Sequence, residues 1–361
     1  MFVSLRDLKV TKGRYALVCA VIALIALMTT LLSGLSTGLV DDGISGLRSL
    51  PLTHLAFQKG AENSFSRSSL NEKNLEVWQQ EENVETSELG VSFFNAKTDS
   101  GETIDIALFG VPENSFLAPD KRARESLSGK PGIILSEKSR IDGLKVGDML
   151  KIDGPDVSLP ILGFTYTGSY GHVPIAFTSL STWQKLFYGE NANGRFSAIA
   201  IKTNDTSRIA ALDKKADTET KTKEAAYAGS PGYSAETSTM ELIRGFLLAF
   251  SALIVGAFFT VWTIQRTRQI GLLKAIGASN WYVLRDALGQ LILIMIFSTV
   301  VGVGLGVGLG SFVGDDAPFS LEAKSVISSN IILAIMGIAG SLVAIRRITK
   351  VDPIIALGSE N

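Results

Sequence analysis

Four long stretches of this chain carry no charged residue: Ala16 to Leu39, Gly245 to Ile264, Leu288 to Val313 and Val326 to Ile345. An α-helix rises about 1.5 Å per residue and a bilayer's hydrocarbon is about 30 Å thick, so about 20 apolar residues suffice to cross it. All four qualify. Lipid offers no partner to a backbone N–H or C=O, so each stretch must bond its own main chain, and the helix does so. The chain is therefore read as an α-helical membrane protein with four transmembrane helices. A cleaved leader is the alternative for the first stretch, but its apolar run is longer than the about 7–15 residues of a leader core.

Charge at the ends of the stretches assigns the sides of the membrane. Arg6, Lys9, Lys12 and Arg14 precede the first; Arg266, Arg268, Lys274 and Arg285 lie between the second and third; Arg346, Arg347 and Lys350 follow the fourth. The opposite ends carry Asp41 and Asp42, then Asp315, Asp316 and Glu322. The positive-inside rule puts both termini in the cytoplasm of a cell whose plasma membrane the chain crosses. Three regions follow: residues 1–40 with helix 1, an extracytoplasmic insertion over 41–240, and residues 241–361 with helices 2–4.

The insertion reads as a folded, mixed α+β domain. Runs with β character recur at Gly90 to Phe94, Thr103 to Val111, Gly132 to Leu135, Asp148 to Asp153, Leu159 to Thr167, Val173 to Phe177 and Ser197 to Lys202. Turn signals such as Asp142-Gly143 and Asp153-Gly154-Pro155 separate them. Helices are expected at Leu180 to Phe187 and Ser207 to Lys215. Lys214 to Glu236, charged and then rich in small residues, reads as a mobile or helical stalk.

Composition excludes several functions. A net charge of −1 without a basic tail leaves no footprint for nucleic acid. Cys19 is the only cysteine, so neither an internal disulfide nor a thiolate metal cluster forms; within its apolar run it serves as a small hydrophobe. His54 and His172 have no catalytic or metal-binding spacing and read as ordinary residues of the insertion. Gly129-Lys130 is followed by Pro131 and lacks the upstream glycine of a phosphate loop, so this chain is not expected to hydrolyse ATP or to be an enzyme. In the third stretch Gly302, Gly306 and Gly310 share a helical face, with Gly304 and Gly308 beside them, and Gly34 and Gly38 repeat the spacing in the first. Close helix packing and a flexible hinge are both open to such a stripe.

The loop between the second and third stretches carries the most specific pattern, Arg266-Thr-Arg268-Gln269-Ile270-Gly271-Leu272-Leu273-Lys274-Ala275-Ile276-Gly277-Ala278-Ser279. Ile270, Leu273, Lys274 and Gly277 are expected on one face of a short helix, which either lies on lipid headgroups or inserts into a partner's groove. The loop resembles the signature of the FtsX-like permease family of MacB-type ABC transporters, Arg-x-x-Glu-Ile-Gly-x-x-Lys/Arg-Ala-x-Gly-Ala, with Gln269 in place of the usual glutamate. Asp352-Pro353-Ile354-Ile355-Ala356-Leu357 is similar to the family's ending, and Leu144-Lys145-Val146-Gly147-Asp148 to a turn in its outer domain. The opening, Leu5-Arg6-Asp7-Leu8 through Leu32-Ser33-Gly34-Leu35, resembles the haem-exporting permeases of Gram-positive actinobacteria.

The resemblance implies a homodimer of this permease with two copies of a cytosolic ABC ATPase that binds ATP-Mg. It implies ATPase coupling through Ile270, Leu273, Lys274, Ile276 and Gly277, and no cofactor intrinsic to the chain. Haem becomes the expected cargo. Its iron needs axial ligands and its propionates suit a cation, which singles out Met240, Glu241, Arg244 and Phe246 at the outer end of helix 2. Glu241 is the expected iron ligand, used twice in a symmetric dimer. Ser238-x-x-Glu241 also fits a capping box, which would give the carboxylate a purely structural role. Export of a lipid, lipoprotein or antimicrobial peptide, and regulation of a cell-wall hydrolase without transport, remain alternatives.

Overall fold

A computed structural model describes residues 12–119, 124–125, 127–128, 131–140, 143–265, 267–313 and 317–349. Arg6, Lys9, Gly129-Lys130, Asp142, Arg266, Asp315, Asp316, Lys350 and the Asp352-to-Leu357 ending lie outside them. Two compact units emerge, one of residues 1–38 with 237–361, the other of residues 39–236.

The first unit holds the expected four helices, each long and apolar enough to cross a membrane. They are α1 (Lys12–Ser49), α6 (Tyr233–Gln265), α8 (Asn280–Gly310) and α9 (Ala323–Thr349), with the short α7 (Thr267–Ala275) before α8. Helix α1 has 38 residues, about 57 Å at the usual rise, and continues past its apolar run and both aspartates. The glycine stripe packs helices. A Cβ on Gly302 would lie 2.2 Å from the Ala23 carbonyl oxygen, and one on Gly306 2.8 Å from Thr30 Cβ, so α8 and α1 meet backbone to backbone. Gly310 and Gly34 adjoin Phe319 and Leu321, and Gly38 the Pro318 carbonyl, whereas Gly304 and Gly308 face open space. A second close approach joins α6 to α9, where a Cβ on Gly340 would sit 2.1 Å from the Ala252 oxygen.

Polar side chains line the interior of this bundle. Asn330 donates through Nδ2 to Thr30 Oγ1 at 3.1 Å, Ser33 and Ser325 share a bond of 2.8 Å, and Gln290 donates to the Tyr15 hydroxyl at 2.8 Å. Thr29 and Thr30 turn their hydroxyls back to the carbonyls of Ile25 and Ala26. Each satisfies in protein a group that lipid would leave bare.

The second unit is a ten-stranded mixed sheet with helices on it. Its strands are β1 (His54–Gln58), β2 (Glu85–Lys97), β3 (Thr103–Val111), β4 (Ile133–Ser136), β5 (Met149–Ile152), β6 (Val157–Thr165), β7 (Ser169–Tyr170), β8 (Val173–Ser179), β9 (Ala198–Lys202) and β10 (Thr218–Thr222). Helices α2 (Glu72–Gln79), α3 (Leu180–Tyr188), α4 (Ile209–Ala216) and α5 (Lys223–Ala226) complete it. The strand order is β10-β1-β9-β2-β3-β8-β4-β6-β5, and β5 returns to pair with β2, closing a ring of six strands. The 13-residue β2 makes this possible, because its first half pairs with β9 and its last residues with β5. Gly90 and Gly110 face each other across β2 and β3. Their missing side chains open the slot filled by Trp183 of α3, whose Nε1 donates to Ser92 Oγ at 2.7 Å.

All seven expected strands and both expected helices are present. The stalk reading is corrected, because Thr218–Thr222 is an edge strand in register with all of β1, and Ala226 and Tyr227 enter the core. The segments that lead back toward the apolar stretches are instead the ends of α1 and α6.

Candidate functional site

Two stretches carry the residues singled out above. The first is the opening of α6. Gly232, at φ +82°, turns the chain, and the helix begins at Tyr233. Ser238 and Glu241 therefore sit inside the helix, so the expected capping box does not form; Glu236 is the carboxylate of the first turn, where the helix dipole favours it. The spacing misled because Ser-x-x-Glu also recurs in helix interiors. Glu241 is exposed. Met240 and Arg244, one turn apart, are half-buried on one face. Phe246 is 58% exposed and, five residues beyond Glu241, points about 140° away around the helix. The structure brings Met240, Glu241 and Arg244 together and leaves Phe246 on another face.

The second stretch is the turn between α7 and α8. Ala278 N–H bonds to the Leu273 carbonyl at 2.9 Å and Gly277 N–H to that of Lys274 at 3.0 Å, with Gly277 at φ +98°. This pairing is a Schellman stop, in which glycine takes the left-handed position. Ser279 then caps α8, its side chain accepting from the Tyr282 N–H. The expectation that Gly277 shares a helical face with Ile270 is thus corrected: Gly277 ends the helix. Ile270 is buried in one hydrophobic cluster with Tyr15, Val18, Phe259 and Val283 of the bundle and anchors α7. Leu273 and Lys274 are half-buried, while Leu272 and Ile276 are 54% and 76% exposed. The most accessible apolar positions on this turn include Leu272, absent from the expected set, and its signal was only the alternation of a nine-residue helix.

His172, read from sequence as an ordinary residue, contacts carboxylates on two elements, Asp42 at 3.2 Å and Glu236 at 2.9 Å. Its partners lie 130 and 64 residues away in sequence, and no spacing rule reaches that far. Among the described residues no group of three or more His, Cys, Asp or Glu could hold a metal ion.

Residues 242–353 match the FtsX-like permease C-terminal family. Over 99% of both chains this one is 26% identical to the putative hemin transport system permease protein HrtB of Staphylococcus haemolyticus. It is 31% identical to the macrolide export ATP-binding/permease protein MacB of Neisseria gonorrhoeae over 34% of this chain and 20% of that one. The periplasmic region of MacB from Actinobacillus actinomycetemcomitans aligns with 50% of this chain and 94% of its own, at 13% identity and a TM-score of 0.37.

Proposed function

We propose that this chain, an ABC transporter permease of the FtsX/MacB type that works with an ATPase partner, exports haem from the membrane as a homodimer driven by two cytosolic ATPase subunits. The likeness along its whole length to a hemin transport permease supports this reading more than any other observation. In the proposed arrangement both termini are cytoplasmic and the turn at Leu272 to Ile276 receives the ATPase. Residues 39–236 lie outside, and Glu241 from each protomer ligates one haem, with Arg244 beside its propionates and Met240 on the same face.

The geometry adds one point in favour. Glu241 holds no cap, so its carboxylate is free of that structural duty. A charged residue close to an apolar span is costly unless it meets a polar partner. A carboxylate is also a weak ligand for haem iron, which suits a pump that must release its cargo. The partial match to a macrolide exporter favours a second reading, in which the same machinery expels another amphipathic molecule.

The test is haem titration of the full permease with its ATPase in lipid nanodiscs, read by the Soret band and by ATP turnover. Haem is expected to bind and to stimulate hydrolysis. Glu241→Ala and Glu241→Gln are both expected to weaken binding and shift the band, since neither change disturbs a cap. Unchanged spectra in both variants would remove Glu241 from the site, and absence of haem binding to the wild type would remove haem as cargo.

A further inference from the structure

The face of α8 that turns away from the bundle holds a groove of about 400 Å³, within the size range of ligand sites. The opposite face is fixed. Val283, Ala287, Leu291 and Ile294 are buried in a hydrophobic cluster of the bundle, and Gln290 donates to the Tyr15 hydroxyl. Among the described residues the groove is lined by α8 alone. Trp281, Arg285, Leu288 and Ile292 follow the i, i+4, i+7, i+11 spacing of a single stripe. Tyr282, Asp286 and Gly289 form the row beside it. From Trp281 to Ile292 the helix rises about 16 Å.

The two ends of the groove differ in chemistry. The end next to the Ser279 cap carries Trp281 and Tyr282, 68% and 51% exposed. It also carries Arg285, an exposed cation with no ion-pair partner among the described residues. Indole and phenol rings, apolar in body and polar at the tip, settle at the headgroup level of a bilayer. The helix dipole adds its positive pole at the same end. The far end is apolar. Leu288 opens the charge-free stretch, and Ile292 is 42% exposed. A Cβ on Gly289 would meet nothing within 4 Å, so the floor of the groove is open there. A water-soluble partner meets the first end but cannot follow the groove into the apolar span. An occupant of the whole groove needs an anionic head joined to an apolar chain.

We propose that this groove is a phospholipid site, in which Arg285 holds the phosphodiester and an acyl chain lies over Gly289 beside Leu288 and Ile292. The planar guanidinium matches two phosphate oxygens at once, and the Trp281 N–H and Tyr282 O–H are further donors at that level. Asp286, half-buried in the second row, repels additional negative charge, so a headgroup with one charge fits better than a multiply anionic one. The bound lipid fixes the depth at which α8 enters the bilayer. It thereby sets the level of the α7–α8 turn, whose last residue, Ser279, caps the same helix end. The site is independent of the cargo and stands whether or not haem is exported.

Native mass spectrometry of the full chain, delipidated in detergent and then titrated with phosphatidylglycerol, reads the site. The wild type is expected to retain one lipid per chain, and to retain dioleoylglycerol, which lacks the phosphate, about tenfold less well. Arg285→Gln should weaken retention of phosphatidylglycerol about tenfold, the scale of one charge-assisted hydrogen bond. Gly289→Leu fills the floor of the groove without meeting another atom, should also weaken retention, and decides the matter if the first variant does not fold. Equal retention of the two lipids by the wild type overturns the proposal, as does undiminished retention in either folded variant. Displacement of the lipid by inorganic phosphate would assign Arg285 to a free anion and overturn it too. So would loss of ATPase association in Arg285→Gln with lipid retention intact, which would make the groove a protein surface.

Discussion

The membrane-spanning helices and the sheet domain treat large apolar side chains in opposite ways. In the sheet domain Trp78, Trp183, Phe109 and Phe177 are wholly buried. In the helices Leu253, Val300 and Phe246 are 68%, 66% and 58% exposed, while the hydroxyl-bearing Thr30 and Ser298 are fully enclosed. The same residue types answer to different solvents. Water drives apolar groups inward, whereas lipid is as apolar as leucine and leaves packing and hydrogen bonds to hold helices together.

The comparison breaks most visibly under truncation of large side chains. Trp183→Ala empties the slot between Gly90 and Gly110 and strands Ser92 Oγ, and should cost about 3–5 kcal/mol. Val300→Ala, on a face exposed in the single chain, should stay within about 0.5 kcal/mol of the wild type. Thermal unfolding of the full chain in nanodiscs, followed by far-ultraviolet circular dichroism, measures both. Equal losses would mean that Val300 packs against protein.

This contrast explains what was legible in the sequence. Charge-free length is a direct report of lipid, so all four helices could be read. Apolar β runs bounded by turns report a core, so β2 and β3 could be read as well. Thr218–Thr222 was missed because its sequence, Thr-Glu-Thr-Lys-Thr, has no apolar residue, although Thr218 is buried and receives a bond from Trp78 Nε1 at 3.3 Å. Helix α2 was missed because it is short and rich in charge, with only Leu75 and Trp78 buried. The site was less legible than the fold. Ser238-x-x-Glu241 is a local pattern whose meaning depends on where the helix begins, and that point is set by Gly232. Asp42, His172 and Glu236 meet only through tertiary structure.

Adding bulk sharpens the comparison within the membrane unit itself. Gly302→Leu would force side-chain atoms into the Ala23 carbonyl of α1, and should cost about 1–3 kcal/mol or more. Gly304→Leu, two residues away with nothing within 4 Å, should leave the fold of a single chain unchanged. Retention of folded protein after detergent extraction and heating separates the two. If Gly304→Leu preserves the fold but abolishes a cross-linked dimer, the open half of the stripe belongs to a second copy.

A smaller effect is expected at the turn between α7 and α8, where apolar exposure resembles neither region. Leu272→Glu and Ile276→Glu alter exposed side chains, and the chain should keep its fold. Loss of a central apolar contact costs binding about 1–2 kcal/mol, so association with the ATPase should weaken about tenfold. Gly277 is a poor position for this test, because any side chain at φ +98° strains the turn directly. Full ATPase association in both variants would assign the turn to the lipid surface.

The smallest expected effect bears most directly on the difference between the two solvents. Thr30 and Asn330 share a hydrogen bond of 3.1 Å inside the helical bundle, and Ser87 and Ser115 share one of 2.6 Å inside the sheet domain. All four residues are buried. A simple electrostatic view makes the membrane bond far stronger, since lipid offers no competing water. The opposing argument is that helices separated within the bilayer still find polar partners, so the reference state is also satisfied and the net gain shrinks to about 0.6 kcal/mol. Double-mutant cycles decide between them, with Thr30→Val and Asn330→Leu for one pair and Ser87→Ala and Ser115→Ala for the other. Coupling energies of about 0.5–1.5 kcal/mol are expected for both pairs. A membrane coupling of several kcal/mol would show that the polar seam between α1 and α9 is what holds those two helices together.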